Sequence, residues 1–400
     1  MSAKTEHRDR HRAGRFITQQ TGSGGYAAFI PSALPPRPAL DMSPPLQRAL
    51  ERASTALGRL DGITLLLPAP DLFIYMYVRK EAVLSSQIEG TQSSFSDLLL
   101  FETGPATGHS SADVVQVSNY LAAMQHGLKR LEGGFPISLR LLREIHGVLV
   151  RGTRGGNKTP GEFRTSQNWI GGSRPGNALY VPPPPHEVLP ALSALERFIQ
   201  DDADEFPLLI KAGLAHAQFE TIHPFLDGNG RIGRLLITFL LCAGGALSQP
   251  LLYLSLYLKR NREAYYASLQ RVRTEGDWEG WVLFYLTGVE EVAGQATETA
   301  RRIMHLFEKD RRSLQRLGRS ANTALRVHEL MKSRAIATIG DIAHALDVSF
   351  PTASAAVGRL SKQGILREIT GRQRDQHFAY QQYLNILSEG TEPIPDPASP

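Results

Sequence analysis

The sequence predicts a mainly α-helical protein with one β-hairpin and, toward its C-terminal end, a winged helix-turn-helix unit. Three observations lead to that class. From about residue 41 to 300 the chain is a succession of helix-length segments bounded by start and stop signals. One stretch, "NWIGGSRPGNALYVPPPP", places two short apolar segments around a Gly/Pro/Asn turn, and Pro182 to Pro185 end it. Farther on, "TIGDIAHALDVSFPTASAAVGRLSKQGILREITGRQRDQHFAY" has the spacing of two short helices followed by a wing.

Residues 1–40 are basic, then rich in Gly, Ser and Pro, which predicts a tail or an extended arm on the surface. Residues 41–125 read as an N-terminal helical region. Within it Pro70-Asp71 starts a helix over about 71–90, and Gly90 stops it. At roughly 100° per residue, Phe73, Tyr77, Leu84 and Ile88 form one stripe, while Ser85 and Glu89 share a different face. The largest helical block is 126–300. Helices are expected at 111–131, 138–150, 187–201, 207–222, 229–243, 261–274 and 277–299, with the hairpin at 168–181 between them. A charged linker helix follows at 301–319, the winged unit at 320–387 and a disordered tail at 388–400.

At 400 residues, 42% hydrophobic and 21% charged, the chain suffices for two or three domains with a sizeable core. The one cysteine, Cys242, excludes an intramolecular disulfide and is compatible with a reducing cytosol. The start "MSAKTEHRDRHRAGRF" lacks the apolar region of a signal peptide. The longest apolar stretch, Leu235 to Leu247, is too short to span a bilayer. A soluble, cytoplasmic protein with no membrane partner is therefore expected. Net charge is +5, and residues 301–380 hold 15 Lys+Arg against 7 Asp+Glu, so the basic surplus lies in that C-terminal part.

One twelve-residue stretch concentrates chemistry: "HPFLDGNGRIGR", residues 223–234, a tight loop that opens the apolar helix "IGRLLITFLLCAG". Gly228 and Gly230 permit backbone angles that turn successive N–H groups to one side. The helix N-terminus that follows adds its positive end, making a nest for phosphate. Arg231 and Arg234, on one face of that helix, suit a polyphosphate. Asp227 is a hard oxygen ligand of the kind that holds Mg²⁺ together with phosphate oxygens. His223 is the titratable group there whose unperturbed pKa suits proton abstraction at neutral pH. Each residue alone is ordinarily a turn or a solvated charge; the combination is not. No "GK[ST]" follows the glycines, so the loop is not a Walker loop.

"HPFLDGNGRIGR" resembles the signature of the Fic family, HPFx[D/E]GNGRxxR, at every defining position. The similarity runs from about residue 45 to 300 and includes "SSQIEGTQSSFSDLLL", "PGEFRTSQNWIGG", "YVPPPP" and "LYLSLYLKRNREAYYASLQRVR". The resemblance implies a Fic-fold catalytic core at 126–300 and transfer of AMP from ATP, with Mg²⁺, onto a Ser, Thr or Tyr hydroxyl of a protein. It implies His223 as general base, Phe225 as the loop's core anchor and Asp227 as the Mg²⁺ ligand. Gly228, Asn229 and Gly230 would hold phosphates, Arg231 the α/β-phosphates and Arg234 the γ-phosphate. Gln218 and Asn261 match positions near the nucleotide in relatives. The hairpin at 168–181 corresponds to the flap on which a target segment docks by strand addition.

Within "SSQIEG", Ser85, Glu89 and Gly90 match the family's inhibitory motif, [S/T]xxxE[G/N]. The resemblance implies that this helix lies over the active site and that Glu89 pairs with Arg234, taking the place of the γ-phosphate. Two rival functions stay open: removal of AMP from a modified protein, and a DNA-binding regulator whose Fic domain senses nucleotide.

In the C-terminal unit Ile339, Ile342, Ala343 and Leu346 give a first helix its apolar face, and "DVS" makes the turn. Ser349 caps a second helix with Pro351 in its first turn, and Val357 and Leu360 face its core. Gly371 is the expected wing tip. Arg359, Lys362, Arg367, Arg372 and Arg374 are candidates to meet DNA phosphates. The same fold docks proteins, and the Ala- and Ser-rich second helix leaves both partners open. A homodimer is also open.

Overall fold

The structure is a computed structural model that describes residues 12–21, 24–66, 70–103, 112–201, 206–318, 321–371 and 375–393. Its centre is a helical pair that the sequence marks by continuous apolar character. α7 (Leu208–Ile222) is buried on all sides from Leu209 onward apart from Lys211, and α8 (Asn229–Ala243) from Arg231 to Leu241. Helices with apolar residues on every face belong inside a core, and the polar side chains this pair buries, Glu220, Arg231 and Arg234 among them, belong to the site. Around this pair pack α2 (Pro70–Ile88), α4 (Ala112–Glu132), α5 (Leu139–Leu149), α6 (Pro185–Gln200) and α10 (Arg262–Glu275). α1 (Pro44–Leu66), α3 (Phe95–Thr103) and the short α9 (Ser255–Arg260) complete this body. The similarly central α11 (Trp278–Gln315) runs for 38 residues along α1. The expected helix at 277–299 and most of the expected linker are thus one continuous element, because Ile303, Leu306, Phe307 and Leu314 keep its buried stripe unbroken.

Two expectations about β-structure are corrected. Residues 14–31, inside the expected tail, form an antiparallel hairpin of β1 (Gly14–Thr21) and β2 (Gly24–Pro31). Within "TGSGG", Thr21 and Gly24 are register partners at the ends of the two strands, and Gly22 and Ser23 lie outside the described residues. The Phe29 N–H donates to the Val181 carbonyl at 2.9 Å, and Phe29 packs with Ala13 and Tyr180. Arg12 adds a two-pronged pair with Glu279 at 2.7 Å. Conversely, the expected hairpin at 168–181 holds a single bridge, Ile170 to Tyr180, with a 3₁₀ turn at Pro175–Asn177. Pro175 has no N–H, and the Asn177 side chain accepts from the N–H groups of Ser173 and Arg174, so no longer ladder forms.

The C-terminal unit comprises α12 (Ala321–Arg334), β3 (Ile336–Thr338), α13 (Ile339–Leu346), α14 (Phe350–Lys362), β4 (Arg367–Glu368) and β5 (His377–Ala379). The strands form one antiparallel sheet in the order β3-β5-β4. Thr338 caps α13 through a capping box with Asp341, and Ser349 caps α14 as expected. Arg372 and Arg374 lie outside the described residues.

The expected disordered tail is corrected in part. α15 (Gln381–Ser388) packs on α2, α3 and α11, and residues 389–393 follow in a defined path. Glu389 pairs with Arg302 at 2.6 Å, and the Gln87 side chain on α2 donates to the Thr391 carbonyl at 2.8 Å. Residues 394–400 lie outside the described residues. Among the described residues no helix is long and apolar enough to cross a membrane.

Candidate active site

The loop between α7 and α8 is built by its own side chains. Pro224 bars the residue before it from continuing a right-handed helix, so α7 ends at His223, which takes a left-handed conformation (φ 49°). Phe225 is buried and stacks on the His146 ring at 3.9 Å, with Phe163 and Phe219 beside it. His146 Nδ1 accepts from the Gly161 N–H at 2.9 Å, so its proton sits on Nε2, which donates to the Asp227 carbonyl at 3.2 Å. Asn229 uses both ends of its amide on Phe225, accepting from its N–H and donating to its carbonyl, each at 2.8 Å. That side chain closes the loop on itself. Gly228 caps α8 with φ 79°, a left-handed angle that favours glycine.

From outside the loop, Arg164 donates through Nε to the His223 carbonyl at 2.9 Å, and Asn168 donates to the Phe225 carbonyl at 3.0 Å. The backbone of the histidine turn is therefore held from three directions.

Arg231 and Arg234 are both buried, yet they stand in opposite situations. Arg231 touches Asp227 Oδ1 only at 3.4 Å, and its Nε and Nη1 have no hydrogen-bond partner. A buried guanidinium with two unpartnered nitrogens marks a place for an anion. Burial lowers its pKa, against the pull of Glu89 and Asp227. Arg234 is engaged on one side. Its Nε donates to Ser85 Oγ at 2.8 Å, and Nη2 donates to the Ser85 carbonyl at 2.9 Å and to Glu89 Oε1 at 2.7 Å. Burial, the largest influence, opposes its charge, but Glu89 together with Tyr265 and Tyr120 holds its pKa above the usual arginine range.

The Glu89 carboxylate also lies directly against Gly230 in the first turn of α8, where a Cβ would clash with it. It thus sits on the glycine turn and the helix N-terminus, the place the sequence marked for phosphate. Gly90, at φ 99°, ends α2 immediately after it.

His223 lies near these groups with its ring mostly buried. Burial first, and Arg273 and Arg164 next, push its pKa down to about 3, so the imidazole is neutral at physiological pH. Neutral is the state a general base requires. Asp227 is 31% exposed at its side chain and faces Lys158 Nζ at 3.5 Å. Among the described residues no cluster of three or more His, Cys, Asp or Glu is arranged to hold a metal ion.

The structure brings Ser85, Glu89, Gly230 and Arg234 together and joins Asp227 to Arg231. Gln218 and Asn261 are engaged elsewhere. Gln218 donates to the Ser32 carbonyl at 2.8 Å, and Asn261 donates to the Tyr257 carbonyl at 3.0 Å between α9 and α10. Sequence reasoning missed His146, Arg164, Asn168 and Glu220. Nothing in a single sequence marks an isolated His, Arg, Asn or Glu as a support for a loop far along the chain.

A mainly helical body built around a His–Gly–Arg turn, with a glutamate-bearing helix laid across it, defines the class. Residues 47–129 match the Fic/DOC family N-terminal family and residues 136–241 the Fic/DOC family. The chain carries both of these domains. It is 35% identical over 152 residues to the protein adenylyltransferase Fic of Aedes aegypti, covering 37% of this chain and 27% of that one. Against the protein of the same name from Drosophila ananassae it is 31% identical over 125 residues, covering 31% of this chain and 22% of that one. The match thus spans about a quarter of the length of these relatives. The fold is shared with a Fic family protein from Desulfovibrio desulfuricans at a TM-score of 0.56 and 18% identity, over 85% of this chain and 97% of that one.

Proposed function

We propose that this protein transfers AMP from ATP to Ser, Thr or Tyr hydroxyls of target proteins and of itself, and that Glu89 holds it in a restrained state. The observation that carries this reading is the contrast between the two arginines: Arg231 buried with free donors, Arg234 occupied by a carboxylate seated on the glycine turn. A site with that arrangement accepts a polyanion once the carboxylate leaves. The relatives named protein adenylyltransferase Fic support ATP as the donor.

In this reading the N–H groups of Gly228, Asn229 and Gly230 with Arg231 cradle the α- and β-phosphates, and Arg234 clamps the γ-phosphate. Neutral His223 takes the hydroxyl proton. Asp227 fits Mg²⁺, since its exposed carboxylate has only loose cationic neighbours; the ion would neutralise phosphate charge there. A target strand docks on the 168–181 segment, where Trp169 (40% exposed) and Leu179 (80% exposed) offer apolar anchors. ATP labelled at the α-phosphate is expected to label protein, and ATP labelled at the γ-phosphate is not; the reverse pattern would mark a phosphoryl transferase and overturn the reading.

We read the C-terminal unit as a winged helix that docks DNA through Arg359, Lys362 and Arg367. Arg367 and Lys362 are exposed, which supports a phosphate contact. The full-length protein is expected to bind mixed duplex DNA with affinity that falls steeply as salt is added. Absence of salt-sensitive binding would assign the unit to protein docking instead.

A further inference from the structure

Glu220 lies one turn before His223 on α7, and the reading above gives it no task. Each of the two side chains has a buried atom without a hydrogen-bond partner: Oε1 of Glu220 and Nδ1 of His223. The other carboxylate oxygen, Oε2, stands 3.9 Å from that Nδ1. A hydrogen bond needs a closer approach by about 1 Å. A carboxyl group whose role was only structural would have its oxygens satisfied where it is buried.

Packing keeps the group in place. Gly233 of α8 makes the room, since a Cβ there would lie 2.5 Å from Oε1 and 3.2 Å from the His216 ring. His216 itself is tied down, donating to the Gly233 carbonyl at 2.8 Å and accepting from the Tyr265 hydroxyl at 2.9 Å.

We propose that Glu220 is a positioning residue for His223: its carboxylate keeps the ring proton on Nδ1, leaves Nε2 as the basic nitrogen, and stabilises the imidazolium formed during proton abstraction. This rests on the AMP-transfer reading. In the step, the hydroxyl O–H bond breaks and an Nε2–H bond forms. The hydroxyl oxygen bonds to the α-phosphorus, the bond to the α–β bridging oxygen breaks, and pyrophosphate leaves with that electron pair. Glu220 neither gains nor loses a proton.

The electrostatics call for such a group. Arg273 and Arg164 oppose a positive charge on the His223 ring, while Asp227 and the Glu220 carbonyl favour it. A carboxylate beside Nδ1 offsets the two arginines at the moment the ring becomes charged. Around Glu220, Arg234 and Arg273 favour the ionised form and Glu89 opposes it; burial, the largest influence, pushes its pKa up to about 7.

The test uses full-length Glu89→Gly protein with and without Glu220→Gln and Glu220→Asp. Glu220→Gln is expected to lower kcat by about 10- to 100-fold, as supporting-group changes do. KM for ATP should stay unchanged, and the acid limb that Glu220 imposes on the kcat profile should disappear. Glu220→Asp should recover part of kcat and keep the limb. Nitrogen-15 NMR of His223 in the protein without the Glu220 change should show the proton on Nδ1. A proton on Nε2 there, or wild-type kcat and pH profile in Glu220→Gln, overturns the proposal. The NMR result needs no variant at Glu220, so a misfolded variant leaves the proposal testable. If Glu89→Gly protein itself transfers no AMP, the functional reading fails, while the NMR result still judges the Glu220–His223 contact.

Discussion

Glu89→Gly protein is expected to incorporate AMP at least about 100-fold faster than wild type, self-modification included. Glu89 Oε1 sits 2.7 Å from Arg234 and against Gly230, so ATP cannot seat its phosphates without displacing a carboxylate. Two like charges about 4 Å apart near a surface repel by ~4 kcal/mol. At about 1.4 kcal/mol per decade, that exceeds a 100-fold loss of productive binding. Removing Glu89 lifts the repulsion and leaves Arg234 oriented, because Ser85 still accepts from it through both Oγ and the carbonyl. Arg234→Ala in the same chain should cancel the gain, since the γ-phosphate then has no clamp. The two changes act on one partner and are therefore non-additive. Labelled-AMP incorporation by wild type, both single variants and the double variant decides it. If Glu89→Gly is no more active than wild type on any substrate, the restraint is wrong. The reading in which Glu89 orients a water for removal of AMP then becomes the better account.

His223→Ala should lose transfer by about 10²- to 10⁴-fold, the range for a positioned general base. ATP binding should remain nearly intact, because the ring acts on the incoming hydroxyl and the phosphates are held by other groups. The backbone around residue 223 is secured by Arg164 and by the Phe225 anchor, so deleting the ring leaves the turn in place. The measurement is ATP affinity beside labelled-AMP incorporation, both in the Glu89→Gly background. Unchanged incorporation would refute the role of His223, and a parallel loss of both would make the histidine a structural residue.

The extent to which the site was legible differs residue by residue. "HPFLDGNGRIGR" announced a loop opening a helix, and α8 starts at Asn229 as the glycines require. The spacing of Ser85 and Glu89 placed both on one helix face, and both meet Arg234 there. That the Asn229 side chain closes the turn on Phe225 was not legible, because only the folded turn creates that contact. The pairing of β1 with β2 was hidden because the Gly- and Ser-rich composition around it reads equally as a spacer. Its strands are stabilised through Phe29 against Tyr180 and Val181, far along the chain.

By itself the sequence determined the local events. These are where helices begin and end, which face of each is apolar, and a turn whose glycines, histidine and arginines are adjacent in the chain. Such features depend on neighbours within one or two turns. Tertiary structure alone decided which partner each group meets. Arg234 finds Glu89 across 145 residues, His146 slides beneath Phe225, and Glu220 ends 3.9 Å from His223 with its charge made costly by burial. Partnership and desolvation arise only when distant segments exclude water together, and no local pattern of residues encodes them.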